Sequence, residues 1–265
     1  QLCMRKKITI LFYLLLCKGS LGFAQISENF NDGDFTNNPT WIGNTSDFIV
    51  NTASQLQSNN TVANSTFYLS TINELAFSTQ WEFWVRLAFN PSSANYVDAY
   101  LTASASNLSL NSTTGYFVRI GNTDDEISLY RKDANGAITK IIDGVNGILN
   151  KSNNVMKIKV TRDADNRWIL FRDLTGTGNS FISEGSITDA TYTTSAYFGF
   201  LIKQSTSSFF QRHYFDDIEV KNYIPDITPP EILSANVASL TTADVLFNEI
   251  FDDISRKEEL NYSPN

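Results

Sequence analysis

Short runs of alternating apolar and polar residues recur between Ser27 and Tyr223, each closed by a cluster of Asn, Ser, Asp or Gly. In 81–89, Trp81, Phe83, Val85, Leu87 and Phe89 fall on one side, and Glu82, Trp84, Arg86 and Ala88 on the other. A period of two is that of a strand with one packed face and one wet face. Met156, Ile158 and Val160 alternate with Lys157, Lys159 and Thr161 in the same way. The pattern predicts strands over 81–89, 96–102, 115–121, 126–132, 154–163, 167–173, 196–203 and 213–220. The nearly unbroken apolar run in 196–203 marks a more fully buried strand, and "DADN" (163–166) marks a hairpin turn. No long stretch sustains a helical period. Strands at a spacing of roughly ten residues predict an all-β, two-sheet antiparallel sandwich.

The two ends depart from this pattern. Met4 is followed by Arg5, Lys6 and Lys7, an apolar run from Ile8 to Cys17, and a close on Gly22-Phe23-Ala24. That order is the mark of a signal peptide cleaved before Gln25, and an apolar run of about ten residues is too short to span a bilayer. Lipid attachment at Cys17 is the alternative, but the bulky Leu16 before it argues against that. Gln1–Cys3 precede Met4 and read as translation upstream of the true start, and the stop at "NYSPN" is that of a piece of a longer protein. From Ile224 to Pro230 the prolines impose an extended linker. Residues 231–265 are too few for an independent core. The expected division is a signal peptide over 1–24, a sandwich over 25–223, a linker over 224–230 and the start of a second β domain over 231–265.

Composition narrows the chemistry. The only cysteines, Cys3 and Cys17, precede the predicted cleavage point, which leaves the mature chain without disulfides or thiolate metal sites. Cleavage also removes four cations and no acids, leaving sixteen against twenty-eight, a net charge of −12. Such a body suits divalent cations and is a poor partner for nucleic acid or anionic lipid. The expectation is an exported protein, secreted or held at the cell surface, with no membrane insertion of its mature part.

Several stretches, in order, resemble the concanavalin A-like (laminin-G/glucanase-type) jelly rolls of secreted bacterial proteins. They are "ENFNDGDFTNNPTW", "WEFWVRLAF", "GYFVRIGNTDDEISLYRKD", "MKIKVTRDADNRWILFRD" and "YFGFLIKQSTSSFFQRHYFDDIEV". The resemblance spans residues 27–223 and is one of pattern rather than of an invariant motif. It implies that the first and last strands lie side by side, and that a structural calcium sits between them. The matching oxygens would be Glu28, Asn31, Asp32 and Asp34 at the front and Asp216 or Asp217 at the back. The competing reading of "NDGD" is an ordinary turn. The tail, with "DITPP" and "VLFNE", resembles the opening of bacterial Ig-like surface modules.

The glucanases of this superfamily carry E-x-D-x-x-E on one strand, with its carboxylates directed into a cleft. No acidic cluster here has that spacing: "TDDEISL" (123–129) splits its acids between faces, and Glu82 has no partner at alternate positions. In "FDDIEV", alternation places Asp217 and Glu219 on one face and Asp216 on the other. His213 is the only histidine, too few for zinc, and no G-x-S-x-G elbow accompanies it, so a strand-edge or surface position is expected for it. A sugar-binding face is the remaining sharp possibility, because the apolar C–H faces of sugars stack on exposed rings. Trp84 and Arg86 point away from the packed side of 81–89, and Tyr96, Tyr100, Tyr116 and Arg119 would join them if neighbouring strands align. Two readings follow. One is a non-catalytic module that binds a polysaccharide or cell-surface glycan, or mediates adhesion. The other is a ligand-free spacer of an extracellular hydrolase whose catalytic domain lies elsewhere.

Overall fold

The computed structural model describes residues 26–225, 231–237 and 243–247. The predicted signal peptide, residues 226–230 of the linker and most of 231–265 lie outside the described residues. The alternating runs form two large antiparallel sheets. The first runs, edge to edge, through β13 (Ile182–Thr188), β12 (Arg167–Asp173), β11 (Asn154–Arg162), β6 (Thr79–Leu87), β15 (His213–Asn222), β4 (Leu56–Ser58) and β3 (Phe48–Val50), with β1 (Ile26–Glu28) also on β15. The second runs through β10 (Ile138–Ile142), β9 (Glu126–Lys132), β8 (Gly115–Gly121), β7 (Tyr96–Ala103), β14 (Tyr197–Gln204), β5 (Ser65–Ile72) and β2 (Ile42–Gly43). Beyond them, β16 (Ile232–Val237) and β17 (Ala243–Phe247) pair antiparallel with each other. Among the described residues no helix is long and apolar enough to cross a membrane.

Alternation decides what faces inward. Trp81, Phe83, Val85 and Leu87 of β6, with Met156, Ile158 and Val160 of β11, meet Val97, Ala99, Val118, Ile120, Phe198 and Phe200 of the second sheet in one continuous core. Trp81 stacks on Trp168 at 5.5 Å between ring centres, and Phe200 of one sheet stacks on Phe215 of the other at 4.1 Å. Dense aromatic packing of this kind supplies most of the burial energy of a sandwich.

All eight strands expected from alternation are present, within two residues at either end. The edge strands β10 and β13 have few buried positions and so little periodicity to read. In β5 Ser70 and Thr71, on opposite faces, are both buried, which hides its alternation. The first and last strands do lie side by side: Ile26 pairs with Val220, Ser27 with Glu219 and Glu28 with Ile218.

Two features of β15 differ from the sequence expectation. The pairing of β15 with β6 shifts between Asp216 and Glu219, and Asp217 sits at φ 46°. This bulge inserts one residue and resets the alternation. His213 and Phe215 face inward before it, and Ile218 and Val220 after it. Asp216 and Glu219 therefore face outward, half-buried, with Asp217 exposed between them, instead of Asp217 and Glu219 sharing a face. His213 is not at a surface or strand edge but fully buried. Its ring lies 4.8 Å from that of Phe89, and its Nδ1 is 3.2 Å from Ser58 Oγ. Being in phase with Phe215, it cannot point elsewhere.

Candidate ligand-binding face

The outer surface of the second sheet is built by four strands whose register brings charged and aromatic side chains together. β7 presents Tyr96, Asp98 and Tyr100 at alternate positions. Asp98 lies opposite Arg119 of β8 on one side and Leu201 of β14 on the other. Lys203 lies opposite Tyr96, and Phe117 opposite both Tyr100 and Tyr130. Phe117 packs against Tyr100 at 5.0 Å and stacks on Tyr130 at 5.3 Å between ring centres.

At the centre, Arg119 grips Asp98 as a fork, Nε donating to Oδ1 at 2.7 Å and Nη2 to Oδ2 at 2.8 Å. Only 2% of Asp98 is exposed. The guanidinium carbon lies 4.3 Å from the centre of the Tyr96 ring, 5.2 Å from Tyr130 and 5.4 Å from Phe117, a cation bedded in π faces. Burial pushes the Asp98 carboxyl up, against the opposing pull of the Arg119 hydrogen bonds and charge. Burial works the other way on Arg119, but the bonds to Asp98 outweigh it and hold the guanidinium above its usual range. The fork satisfies both carboxylate oxygens, which favours the charged pair.

Part of this face is covered. Leu108, from the connection 104–114, is fully buried with Tyr100, Phe117 and Tyr130. Gly199 makes room for it: a Cβ there would stand 3.0 Å from Leu108 Cδ1 and 2.3 Å from the Leu69 carbonyl oxygen. Lys132 ties down the same connection, its Nζ donating to the Leu110 carbonyl at 2.7 Å. On the other flank Gly144 N donates to Ser128 Oγ at 2.9 Å and closes the β9 side. Tyr68, Tyr96, Arg119, Leu201 and Lys203 stay partly exposed. They form an open platform of two phenol rings, one leucine and two cations.

The six side chains expected to line one binding face are divided among three places. Tyr96, Tyr100 and Arg119 share the outer face just described, with Tyr100 1% exposed beneath the covered part. Trp84 and Arg86 belong to the outer face of the first sheet, on the far side of the core. There Arg86 Nε donates to Asn153 Oδ1 at 2.8 Å and its guanidinium lies 5.1 Å from the Tyr214 ring. Trp84 is half-buried under the turn 174–180, whose donors Thr175 N, Thr175 Oγ1 and Gly178 N converge on the Asp173 carboxylate. Gly176 lies so close that a Cβ would stand 2.9 Å from Trp84 Nε1. Tyr116 faces the core: it packs on Trp168 at 4.4 Å and its hydroxyl donates to Asp189 Oδ1 at 2.6 Å. Tyr116 is three residues from Arg119 on one strand, so a period of two puts them on opposite faces. Tyr68, Asp98, Leu201 and Lys203 were missed. Asp98 is visible in "YVDAYLT" as the acid alternating between two tyrosines, and Lys203 as the cation two beyond Leu201.

The expected calcium ligands do not converge. Asp34 accepts from Thr36 N, Thr36 Oγ1 and Asn37 Nδ2, at 2.7, 2.8 and 2.8 Å, and these bonds hold its carboxyl below the usual range. Asp32 accepts from Asp34 N, and Asn29 from Asn31 N, so "NDGD" is a series of side-chain-closed turns. Glu28 Oε1 caps Phe30 N at 2.8 Å. At the back, burial pushes the Asp216 carboxyl up to about 6, with the charge of Asp217 adding to it. Between the two ends lies a cleft of about 270 Å³ lined by Ser27, Glu28, Asn29, Glu82, Lys157, Asp217, Ile218 and Glu219. Lys157 supplies its positive charge, with Nζ 3.3 Å from Glu82 Oε1 and 3.7 Å from Asp217 Oδ2. Among the described residues no group of three or more His, Cys, Asp or Glu side chains is arranged to hold a metal ion. Glu28, Asn31, Asp32, Asp34, Asp216 and Asp217 thus are not gathered around one point, and a chelator is expected to leave the thermal midpoint unchanged. A drop on adding EDTA, reversed by calcium, would contradict this, since a bound ion stabilises by mass action.

No family model matches the chain, and no curated protein does. Solved structures do match it in shape. The exoplasmic/lumenal domain of VIP36, bound to Ca²⁺ and Man3GlcNAc, is 13% identical with a TM-score of 0.53, over 78% of this chain and 92% of its own. The carbohydrate recognition domain of Emp47p is 9% identical with a TM-score of 0.53, over 75% and 95%. Arcelin-5, a lectin-like defence protein of Phaseolus vulgaris, is 14% identical with a TM-score of 0.50, over 74% and 96%. The fold is a two-sheet jelly-roll sandwich. At such identities the likeness carries the arrangement of strands and no ligand site.

Proposed function

We propose that this jelly roll is a non-catalytic glycan-binding module whose ligand lies on the open half of the second sheet. One observation carries the reading: Tyr96 stands partly exposed against the Arg119–Asp98 fork, and Tyr68 lies on the same outer face across Leu201. Rings take the apolar face of a sugar, while a fixed, desolvated fork offers directional bonds to its hydroxyls. Arg119 bonds Asp98 through Nε and Nη2, which leaves Nη1 for a ligand. That two structures of similar fold are described as a carbohydrate recognition domain and as a mannose-containing glycan complex supports the reading by analogy. The absence of an E-x-D-x-x-E spacing supports a binding rather than a hydrolytic role. The signal-like residues 4–24 and the proline-rich 224–230 support an exported module within a longer protein, with an Ig-like neighbour as the resemblance of the tail implies.

A glycan array probed with the wild type, Tyr96→Ala and Trp84→Ala tests this. Tyr96→Ala is expected to weaken binding about tenfold or more, the scale of losing a central aromatic contact, and Trp84→Ala to leave it unchanged. A wild type that retains no glycan, or damage confined to Trp84→Ala, would overturn the assignment.

A further inference from the structure

Charge on the open face narrows the class of saccharide. Three cations, Arg119, Lys132 and Lys203, act together on the single carboxylate of Asp98. The cluster therefore carries a net charge of about +2, or about +1 on the open platform once the buried Lys132 is set aside, on a chain whose formal charge is −8. Asp98 is spent on the Arg119 fork. Lys132 Nζ is bonded only to the carbonyls of Leu108 and Leu110. Lys203 Nζ reaches only the Ser93 carbonyl, at 3.3 Å, and lies 5.4 Å from the centre of the Tyr96 ring. The acids nearest along β9 and its flanking turns, Asp124, Glu126 and Asp143, are gathered around Lys140, at 3.8, 2.6 and 2.6 Å from its Nζ. Among the described residues no carboxylate lies within ion-pair distance of Lys203, and it stands with Arg119 against one partly exposed ring. Cations held ready on a partly desolvated surface favour an incoming anion strongly, because their own solvation has already been given up.

We propose, resting on glycan binding at this face, that the ligand is an anionic saccharide. Its carboxylate or sulfate ester sits against Lys203 and Nη1 of Arg119, while a sugar ring lies on Tyr96. Four side chains divide the work. Lys203 selects the charge, Arg119 orients it, Asp98 fixes Arg119, and Tyr96 carries the apolar contact.

The experiment is an array of neutral, uronate and sulfated glycans, followed by titration with matched pairs. Polygalacturonate is set against its methyl ester, and sulfated dextran against dextran, at about 0.05 M and about 0.5 M NaCl, where screening changes strongly. The wild type is expected to prefer a charged member by about tenfold at low salt, as a charge-assisted bond allows, and to lose most of that preference at high salt. Whichever pair shows it separates carboxylate from sulfate. Lys203→Ala is expected to lower the preference severalfold and Lys203→Glu to abolish it. Both variants should keep the wild-type melting temperature, since the Lys203 head group is at the surface. Retention of neutral glycans alone, or a preference that survives Lys203→Glu, would overturn the anionic class and leave glycan binding standing. Retention of nothing on the array would take down both.

Discussion

Arg119→Met lowers the unfolding free energy by about 3–5 kcal/mol, the cost of leaving a buried charge without its partner. Asp98 is the reason: at 2% exposure it has no access to water, and both its oxygens are satisfied by the Arg119 fork. Methionine fills the space against Tyr96, Phe117 and Tyr130 but donates nothing. The double variant Asp98→Leu with Arg119→Met is expected to recover most of the loss, because removing both charges also removes their desolvation. Urea unfolding of the wild type, both single variants and the double variant measures the coupling directly. A loss under about 1 kcal/mol for Arg119→Met, the range of an exposed ion pair, would mean that water reaches Asp98. The double variant should fold and yet bind no glycan, which separates stability from function.

The second large effect is acid sensitivity from His213. Burial alone holds its imidazole down at about 3, against an ordinary 6.5. Between those values the unfolded chain takes up a proton that the folded one refuses, so stability is full above pH 6.5 and falls as the pH drops toward 3. The loss from this one group amounts to roughly 4–5 kcal/mol by pH 3. Asp216 runs the other way. Its carboxyl, raised to about 6 by burial, favours the folded state at low pH and loses that contribution as the pH rises through 6. The difference between wild type and His213→Leu isolates the histidine: the variant should gain on the wild type steadily below pH 6.5. Parallel curves for the two proteins would show that His213 is protonated in the folded state.

The sheets were legible in the sequence because a half-buried strand writes its burial as period two, and Trp81 to Leu87 do so without a break. The adjacency of first and last strands was legible through resemblance. The site was legible in part. Tyr96, Tyr100 and Arg119 carry the right chemistry at the right parity, whereas Tyr116, expected beside them, has the opposite parity to Arg119 and faces the core. Which strands are hydrogen-bonded neighbours is a non-local fact, so no local pattern could tell that β6 and β7, consecutive in the chain, belong to different sheets. Trp84 and Tyr96 are only twelve residues apart and yet face opposite sides of the molecule. The bulge at Asp217 was equally hidden, since "FDDIEV" reads as plain alternation until Ile218 must be buried. His213 was misplaced for a different reason: a histidine between arginine and tyrosine looks polar, and only its phase with Phe215 betrays the core position.

Backbone amide chemical shifts recorded while titrating the isotope-labelled protein with the best glycan from the array locate the ligand directly. The shifts are expected to concentrate at Tyr68, Tyr96, Asp98, Arg119, Leu201 and Lys203, on the outer face of the second sheet. Shifts concentrated instead at Trp84, Arg86, Asn153 and Tyr214, on the opposite sheet, would contradict the account.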